Sequence, residues 1–416
     1  MGPGPIRGLA PVVRHVLRRG GGYDAPPLRR LIALVSLLVA VDLMMWSAIV
    51  PLLPHYRSDL GLTKVESGWL VAAFSLAVVA VAVPVGHLAD RIGARRVVAA
   101  GGLSMAAATL GLGFAGSFWL LVAARAIQGL GDAAVWGAGV AWVAARAPVA
   151  SRGAAVSFTN AAAVAGVIAG PFVGGIATSR FGIGPTFAVV AAVSLALAGW
   201  ALLEPDARAE AERRVGVRAA IAAAFSESLI LASVMMILAV SVIGGGLQVL
   251  VPLHLSAAGV ERSGIGAAYS AGAMLGAVAI LASGRAGDRF GRIPLAAGAC
   301  TALAVLSGLL VLPLGAALVV AVVVAAGPVQ SILYAVGYPL SADGADRANL
   351  GHGIAIGIVN LTWGIGAVVG PLAGPGVAQL LGDRASYALL AILAGLAAVA
   401  IAASTAGRTR VIPPRG

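Results

Sequence analysis

Runs of about twenty apolar residues succeed one another along almost the whole chain, with only short charged segments between them. A helix of that length spans the roughly 30 Å hydrocarbon core of a bilayer. Inside lipid, backbone polar groups must be satisfied within their own segment, so such runs fold as spanning helices. They cover 31–53, 69–85, 97–115, 118–145, 154–178, 185–203, 228–253, 264–283, 294–312, 316–340, 353–378 and 386–405. With 60% hydrophobic and 11% charged residues, the chain cannot be a water-soluble domain. The expected fold class is an all-α polytopic membrane protein with twelve transmembrane helices.

The chain is also a repeat. GHLADRIGARR, from Gly86 to Arg96, returns 198 residues later as GRAGDRFGRI from Gly284, so that Asp288, Arg289 and Gly291 answer Asp90, Arg91 and Gly93. Around Pro51, IVPLLPH is matched by VLVPLH around Pro252, and GPFVGG at Gly170 by GPLAGP at Gly370. Six spans per half bring the chain back to its starting side, so the repeat is parallel and the expected architecture is two pseudo-symmetric six-helix bundles. The division is a 1–30 N-terminal tail, a 31–203 bundle, a 204–227 linker, a 228–405 bundle and a 406–416 tail. Because charge at bilayer depth costs several kcal/mol, the stretch from Gly86 to Arg96 is predicted to be a tight surface loop.

The excess of 12 positive charges could point to nucleic acid, but the cations fall in short loops and report topology instead. With both termini placed in the cytoplasm, 22 of the 28 Lys and Arg lie in cytoplasmic segments. The opposite loops hold only Arg57, Lys64, Arg180, Arg262 and Arg384, and Arg125 lies inside a run. The first thirty residues have no apolar core, so the first span is expected to act as an uncleaved start signal for the plasma membrane. Cys300 is a lone cysteine within an apolar run, which leaves no disulfide framework and no thiolate metal site. Neither a cofactor motif nor GxxxxGK[ST] occurs, so no cofactor, metal or direct ATP coupling is expected.

Four motifs give the chain a resemblance to the major facilitator superfamily and, more narrowly, to its twelve-helix drug:proton antiporters. Gly86, Asp90, Arg91, Gly93 and Arg95 resemble the signature loop between helices 2 and 3. RAIQGLG from Arg125 to Gly131 resembles the fourth-helix motif, and GVIAGPFVGG from Gly166 to Gly175 the fifth-helix motif of exporters. VDLMMWSAIVPLLP from Val41 to Pro54 resembles the acidic first-helix motif, including that of vesicular amine transporters. Those transporters have acids in helices 10 and 11 where this chain has Gln330 and Asn360, and a Lys where it has Phe74. The resemblance implies the major facilitator fold, with helices 1, 4, 7 and 10 around a central cavity. It also implies a gating role for Asp90, Arg91, Asp288 and Arg289 at the rim, with Asp90 latching onto a helix start in the other half.

Asp42 lies eleven residues into its run, near the bilayer midplane, and an acid there is a functional residue by default. One turn on, Trp46 supplies a wall for an aromatic or cationic ligand. Arg125, Gln128, Asp132 and Trp136 form one helical stripe that must face the bundle or water; Asp132 reads equally as a ligand-facing acid and as an interhelical hydrogen-bonding group. Gln330 and Tyr334 share a stripe with Tyr338, while Gln248 and Asn360 are isolated amides that serve as ligand contacts or interhelical glue. Gly170 and Pro171 are expected to break the ladder of their helix and bend it, and Arg95 and Arg96 to anchor topology.

Two buried acids against one Arg leave the interior with excess negative charge, which a proton or a cationic ligand would neutralise. With no cation in its own span, Asp42 is the expected proton carrier. The reading is proton-coupled efflux of a small amphiphilic or cationic organic compound, with protons, the substrate and the lipid bilayer as partners, no nucleic acid, and a monomer. A proton-coupled importer is the rival within the class. A polytopic enzyme would need a motif such as HExxH or GxSxG, which is absent, and a non-transporting receptor would show no flux.

Overall fold

The computed structural model describes residues 26–206 and 226–406. Most of the N-terminal tail, the middle of the linker and the C-terminal tail expected from sequence lie outside them. The described residues contain helices and no strand, and twelve of the helices are long and apolar enough to span a membrane. In chain order these are α1 (Pro27–Leu60), α2 (Lys64–Ile92), α3 (Ala94–Gly113), α4 (Phe118–Arg146), α5 (Arg152–Phe181) and α6 (Ile183–Leu203). The second half holds α7 (Ser228–Ala257), α8 (Arg262–Phe290), α9 (Arg292–Leu309), α10 (Ala316–Arg347), α11 (Gly353–Leu381) and α12 (Asp383–Ala403).

One correction concerns the charged stretch. His87, Asp90 and Arg91 are helical, because α2 runs unbroken to Ile92 and the chain turns only at Gly93, with φ of 94°. Its counterpart behaves alike: α8 continues through Asp288 and Arg289 to Phe290 and ends at Gly291, with φ of 88°. Charged side chains do not stop a helix; a residue free to adopt positive φ does. A 29-residue helix is about 43 Å long at 1.5 Å per residue, so its last turns project beyond the hydrocarbon core and carry their charge there. At the opposite end of α2 the start is fixed by a capping box in which Thr63 and Glu66 satisfy each other's backbone N–H.

Small residues decide which helices touch. A methyl group at Gly166, Gly170 or Gly174 of α5 would overlap the carbonyl oxygens of Ala40, Met44 and Ala48 of α1 in turn. In the second half Gly370 of α11 meets the Val242 carbonyl of α7, and Gly374 abuts Gly246. Helix backbones approach this closely only where side chains are absent. Pro171 does not end α5; the helix passes through it into a wide π-turn at Val173–Ala177, and α4 carries a second such turn at Ala133–Gly139.

Each half has its own apolar core. A third cluster bridges them at the end of the bundle away from the termini, where Ile49, Leu53 and Leu70 pack with Val249 and Leu253. Across that far end Lys64 pairs with Asp383 at 2.5 Å and the Val65 N–H donates to Gln379, and deeper in the bundle Ser270 of α8 donates to the Ile168 carbonyl of α5 at 3.0 Å. At the terminus side the ties stay within a half: the Arg95 N–H donates to Asp206, and Arg292 pairs with Asp343. Asp90, Arg91, Asp288 and Arg289 are exposed there, and among the described residues no hydrogen bond or ion pair joins them to the opposite half.

Candidate functional site

Two polar arrangements lie at mid-depth, and they are distinct. The first is centred on Asp42, whose α1 position is fully buried. No amide, hydroxyl or guanidinium donor reaches either of its oxygens. Its carboxyl faces that of Asp132 on α4, and Arg125 attracts it electrostatically across the α1–α4 contact. Two carboxyls in contact attract only when one of them carries a proton to donate.

Arg125 is itself fully buried and is held mainly by α2. Its Nε donates to the Leu70 carbonyl at 2.7 Å, one Nη donates to Gln128 Oε1 at 2.6 Å, and its guanidinium stacks 4.9 Å from the Phe74 ring centroid. Its other Nη and the Gln128 amide nitrogen have no acceptor. Helical spacing groups Arg125 with Asp132, whereas the folded chain aims the guanidinium's charge at Asp42. Trp136 lies in the π-turn of α4 and packs against the core of the first half.

The second arrangement is a cavity of about 380 Å³ between the halves, lined by α1, α2 and α5 from one side and by α7, α8, α10 and α11 from the other. Trp46, Gln248, Gln330 and Tyr334 line it, as the sequence reading expected of ligand contacts. Asp42, Gln128, Asp132, Trp136 and Asn360 do not, and α4 contributes no lining residue. Asn360 is exposed and accepts a hydrogen bond of 2.8 Å from Tyr338. The reading missed Tyr269, Ser241 and Trp363, which complete the walls. Trp363 and Tyr269 are bulky aromatics in helices of mostly small or aliphatic residues, and that contrast was the available signal.

Tyr334 is anchored by Ser241, 3.3 Å away. Gln248 and Gln330 have no hydrogen-bond partner among the described residues. The Gln330 amide oxygen lies over Gly244, where an added Cβ would sit 2.6 Å from it. No Asp, Glu, Lys, Arg or His lines the cavity, and no cluster of potential metal ligands occurs among the described residues.

Comparison with known proteins places this geometry. The model of the Major Facilitator Superfamily matches residues 35–356 and 249–414. "Multidrug resistance protein MdtG" of Proteus mirabilis is 36% identical over 153 residues, which is 36% of this chain and 38% of that protein. "Probable sulfoacetate transporter SauU" of Cupriavidus necator is 33% identical over 36% of this chain and 34% of its own length. Each match spans well under half of the relative. The fold is that of a bacterial homolog of the human lysosomal transporter Spinster in an inward-facing, unoccupied conformation, with a TM-score of 0.75 at 15% identity over 94% of this chain and all of that one. The nucleoside transporter NupG aligns with a TM-score of 0.74 at 15% identity over 90% of this chain and 99% of its own. A matching family model over most of the chain, twelve spanning helices and a cavity between two repeated halves have one conclusion: the chain belongs to the Major Facilitator Superfamily of membrane transporters.

Proposed function

We propose that the protein is a proton-coupled exporter of a small amphiphilic organic compound, working in the plasma membrane with both termini in the cytoplasm. The bundles 31–203 and 228–405, joined by the 204–227 linker, rock about the central cavity and open it to each side in turn. The far end is closed by Lys64–Asp383 and Val65–Gln379, and among the described residues no hydrogen bond or ion pair ties Asp90, Arg91, Asp288 or Arg289 to the opposite half; together with the Arg and Lys asymmetry this supports reading the state as open to the cytoplasm. Trp46, Gln248, Gln330 and Tyr334 contact the substrate. Gly86, Asp90, Arg91, Gly93 and Arg95, with Asp288 and Arg289, gate the terminus side.

The observation that carries the coupling is Asp42, fully buried with no hydrogen-bond donor to either oxygen among the described residues and facing the half-buried Asp132. Intramembrane acids mark proton paths, and a pair that needs one shared proton can release it when the halves rearrange. Arg125, on the same patch, holds the charge that remains. The likeness to "Multidrug resistance protein MdtG" supports export. Import is the second reading, supported by the fold-level likeness to a nucleoside transporter.

Reconstituted vesicles with an imposed pH gradient test both. Export by antiport requires substrate and protons to move in opposite directions, with substrate leaving the terminus side. Parallel movement of the two would establish the import reading. Flux that ignores the gradient would remove proton coupling altogether.

A further inference from the structure

We infer that the central cavity selects an uncharged, flat and largely apolar molecule carrying a hydrogen-bonding group, held between aromatic walls by the amides of Gln248 and Gln330. The inference rests on the cavity being the transport site, and it narrows the expectation of an amphiphilic or cationic substrate to a neutral one.

The first support is electrostatic. No ionisable side chain other than the tyrosines lines the cavity. Asp42, one helical turn from the cavity-lining Trp46, is fully buried, does not line the cavity and faces Asp132. A cation in the cavity would therefore meet aromatic rings and neutral amide and hydroxyl groups, with no carboxylate among the lining residues to pair with. Stacking on an aromatic face returns only part of an ion's hydration, and bringing an ion out of water without a paired charge carries a far larger penalty. The balance goes against the ion.

The second support is the pair of amides. Each side-chain amide brings two N–H donors and a carbonyl acceptor, and neither has a protein partner among the described residues. Gln330 lies over Gly244 on α7, and Gln248 is one helical turn further along that same helix. A ligand with one carbonyl and one N–H group would satisfy both amides. A purely apolar ligand would leave them dry and unpaired, which is unfavourable for each group.

The third support is shape. Aromatic side chains enter from both halves, Trp46 from α1 and Tyr269, Tyr334 and Trp363 from α8, α10 and α11. Flat rings stack on such walls, and about 380 Å³ lies within the range of small-molecule pockets, ~300–1,000 Å³.

Acridone and N-methylacridinium are tricyclic probes of similar size; the first is neutral with one carbonyl and one N–H, the second permanently cationic. Equilibrium dialysis with the purified full chain in detergent, without any gradient, should give acridone the tighter binding by about tenfold or more. Gln248→Leu and Gln330→Leu should each weaken acridone about fivefold to tenfold. Gln330→Glu places a charge in the cavity and should reverse the preference toward N-methylacridinium, a gain that misfolding cannot imitate. Equal or tighter binding of the cation by the native protein, acridone binding that ignores both Leu changes, or no acridone binding at all would overturn the inference. Vesicle flux is read separately, so acridone binding without gradient-driven transport would refute the coupling and leave the selectivity standing.

Discussion

Lys64 at the start of α2 and Asp383 at the start of α12 form an ion pair of 2.5 Å across the far end of the bundle, between residues 319 apart in sequence. The pair is partly solvated, so its contribution is that of a surface salt bridge, about 0.2–1 kcal/mol. That is enough to bias two conformations of similar energy. Lys64→Ala is expected to shift the population toward the state open at the far end by about twofold to fivefold. The reporter is Val50→Cys in a Cys300→Ser background, since Val50 lines the cavity, labelled by an impermeant thiol reagent from the far side. An unchanged labelling rate would show that the pair does not hold that end shut.

Asp42→Asn gives Asp132 an N–H donor in place of a shared proton. Uphill transport driven by a pH gradient should be lost, while downhill exchange of substrate between the two faces continues. Asp132→Asn should have the same split effect if the two acids act as one proton-holding unit. Retention of gradient-driven accumulation in the Asp42 variant would move the coupling elsewhere.

Arg125→Ala removes the bonds to Leu70 and Gln128 and the stack on Phe74, and it leaves buried acceptors without donors. The expected loss is about 1–3 kcal/mol, read as a lower thermal midpoint in detergent. Arg125→Lys should recover less than half of it, because an ammonium cannot serve the carbonyl, the amide and the ring from one position. Full recovery by Lys would mean that charge alone holds the contact.

Gly170→Leu would drive a side chain into Ser47 and the Met44 carbonyl. Membrane insertion should be normal and flux abolished, as helix hydrophobicity is unaffected and the α1–α5 contact is not. Gly199 of α6 has open space where a Cβ would stand, so Gly199→Leu is the control that should transport normally. Equal flux from both variants would remove α1–α5 packing from the transport cycle.

Asp90 has no hydrogen-bond or ion-pair partner among the described residues in this conformation, so the proposed latch at the terminus side would belong to the other one. Asp90→Asn is expected to slow turnover while leaving equilibrium acridone affinity near that of the native protein. Loss of affinity with an unchanged rate of cycling would place Asp90 in ligand binding instead.

The number of spans, the parallel repeat and the small-residue stripe of α5 were legible in the sequence because each is written in local spacing: run length, recurrence at 198 residues, and glycines four apart. Trp46, Gln248, Gln330 and Tyr334 were found as polar or aromatic exceptions in apolar helices. The cavity wall as a whole was not legible. Apart from those exceptions, helices such as α7 and α10 are apolar over most of their surface, and a helix with so little polar contrast carries little sign of which stripe meets its neighbours. The same blindness grouped Gln128 and Trp136 with the ligand when the first serves Arg125 and the second serves the core. Lys64 and Asp383 meet only because two halves close on each other, and neither residue's surroundings in sequence record the other. The helical course of His87 to Ile92 was misjudged because a run of charge was taken to end a helix, when a single glycine did so.

The π-turn of α4 has a consequence for insertions and deletions. A wide turn holds one residue more than an α-turn over the same rise, so each side chain after Gly139 is set about 100° round the axis from where an unbroken ladder would have put it. Trp142, which follows the turn, is buried in the first half's core with that offset in place. Deleting one residue between Ala133 and Gly139 would restore the regular ladder and swing Trp142 toward lipid, emptying the largest buried side chain out of the core. The same deletion would leave Arg125 and Asp132, which precede the turn, in their original orientation. The bulge thus works as a phase shift that lets one helix answer to two neighbourhoods, an acid-bearing contact with α1 above it and an aromatic seat below.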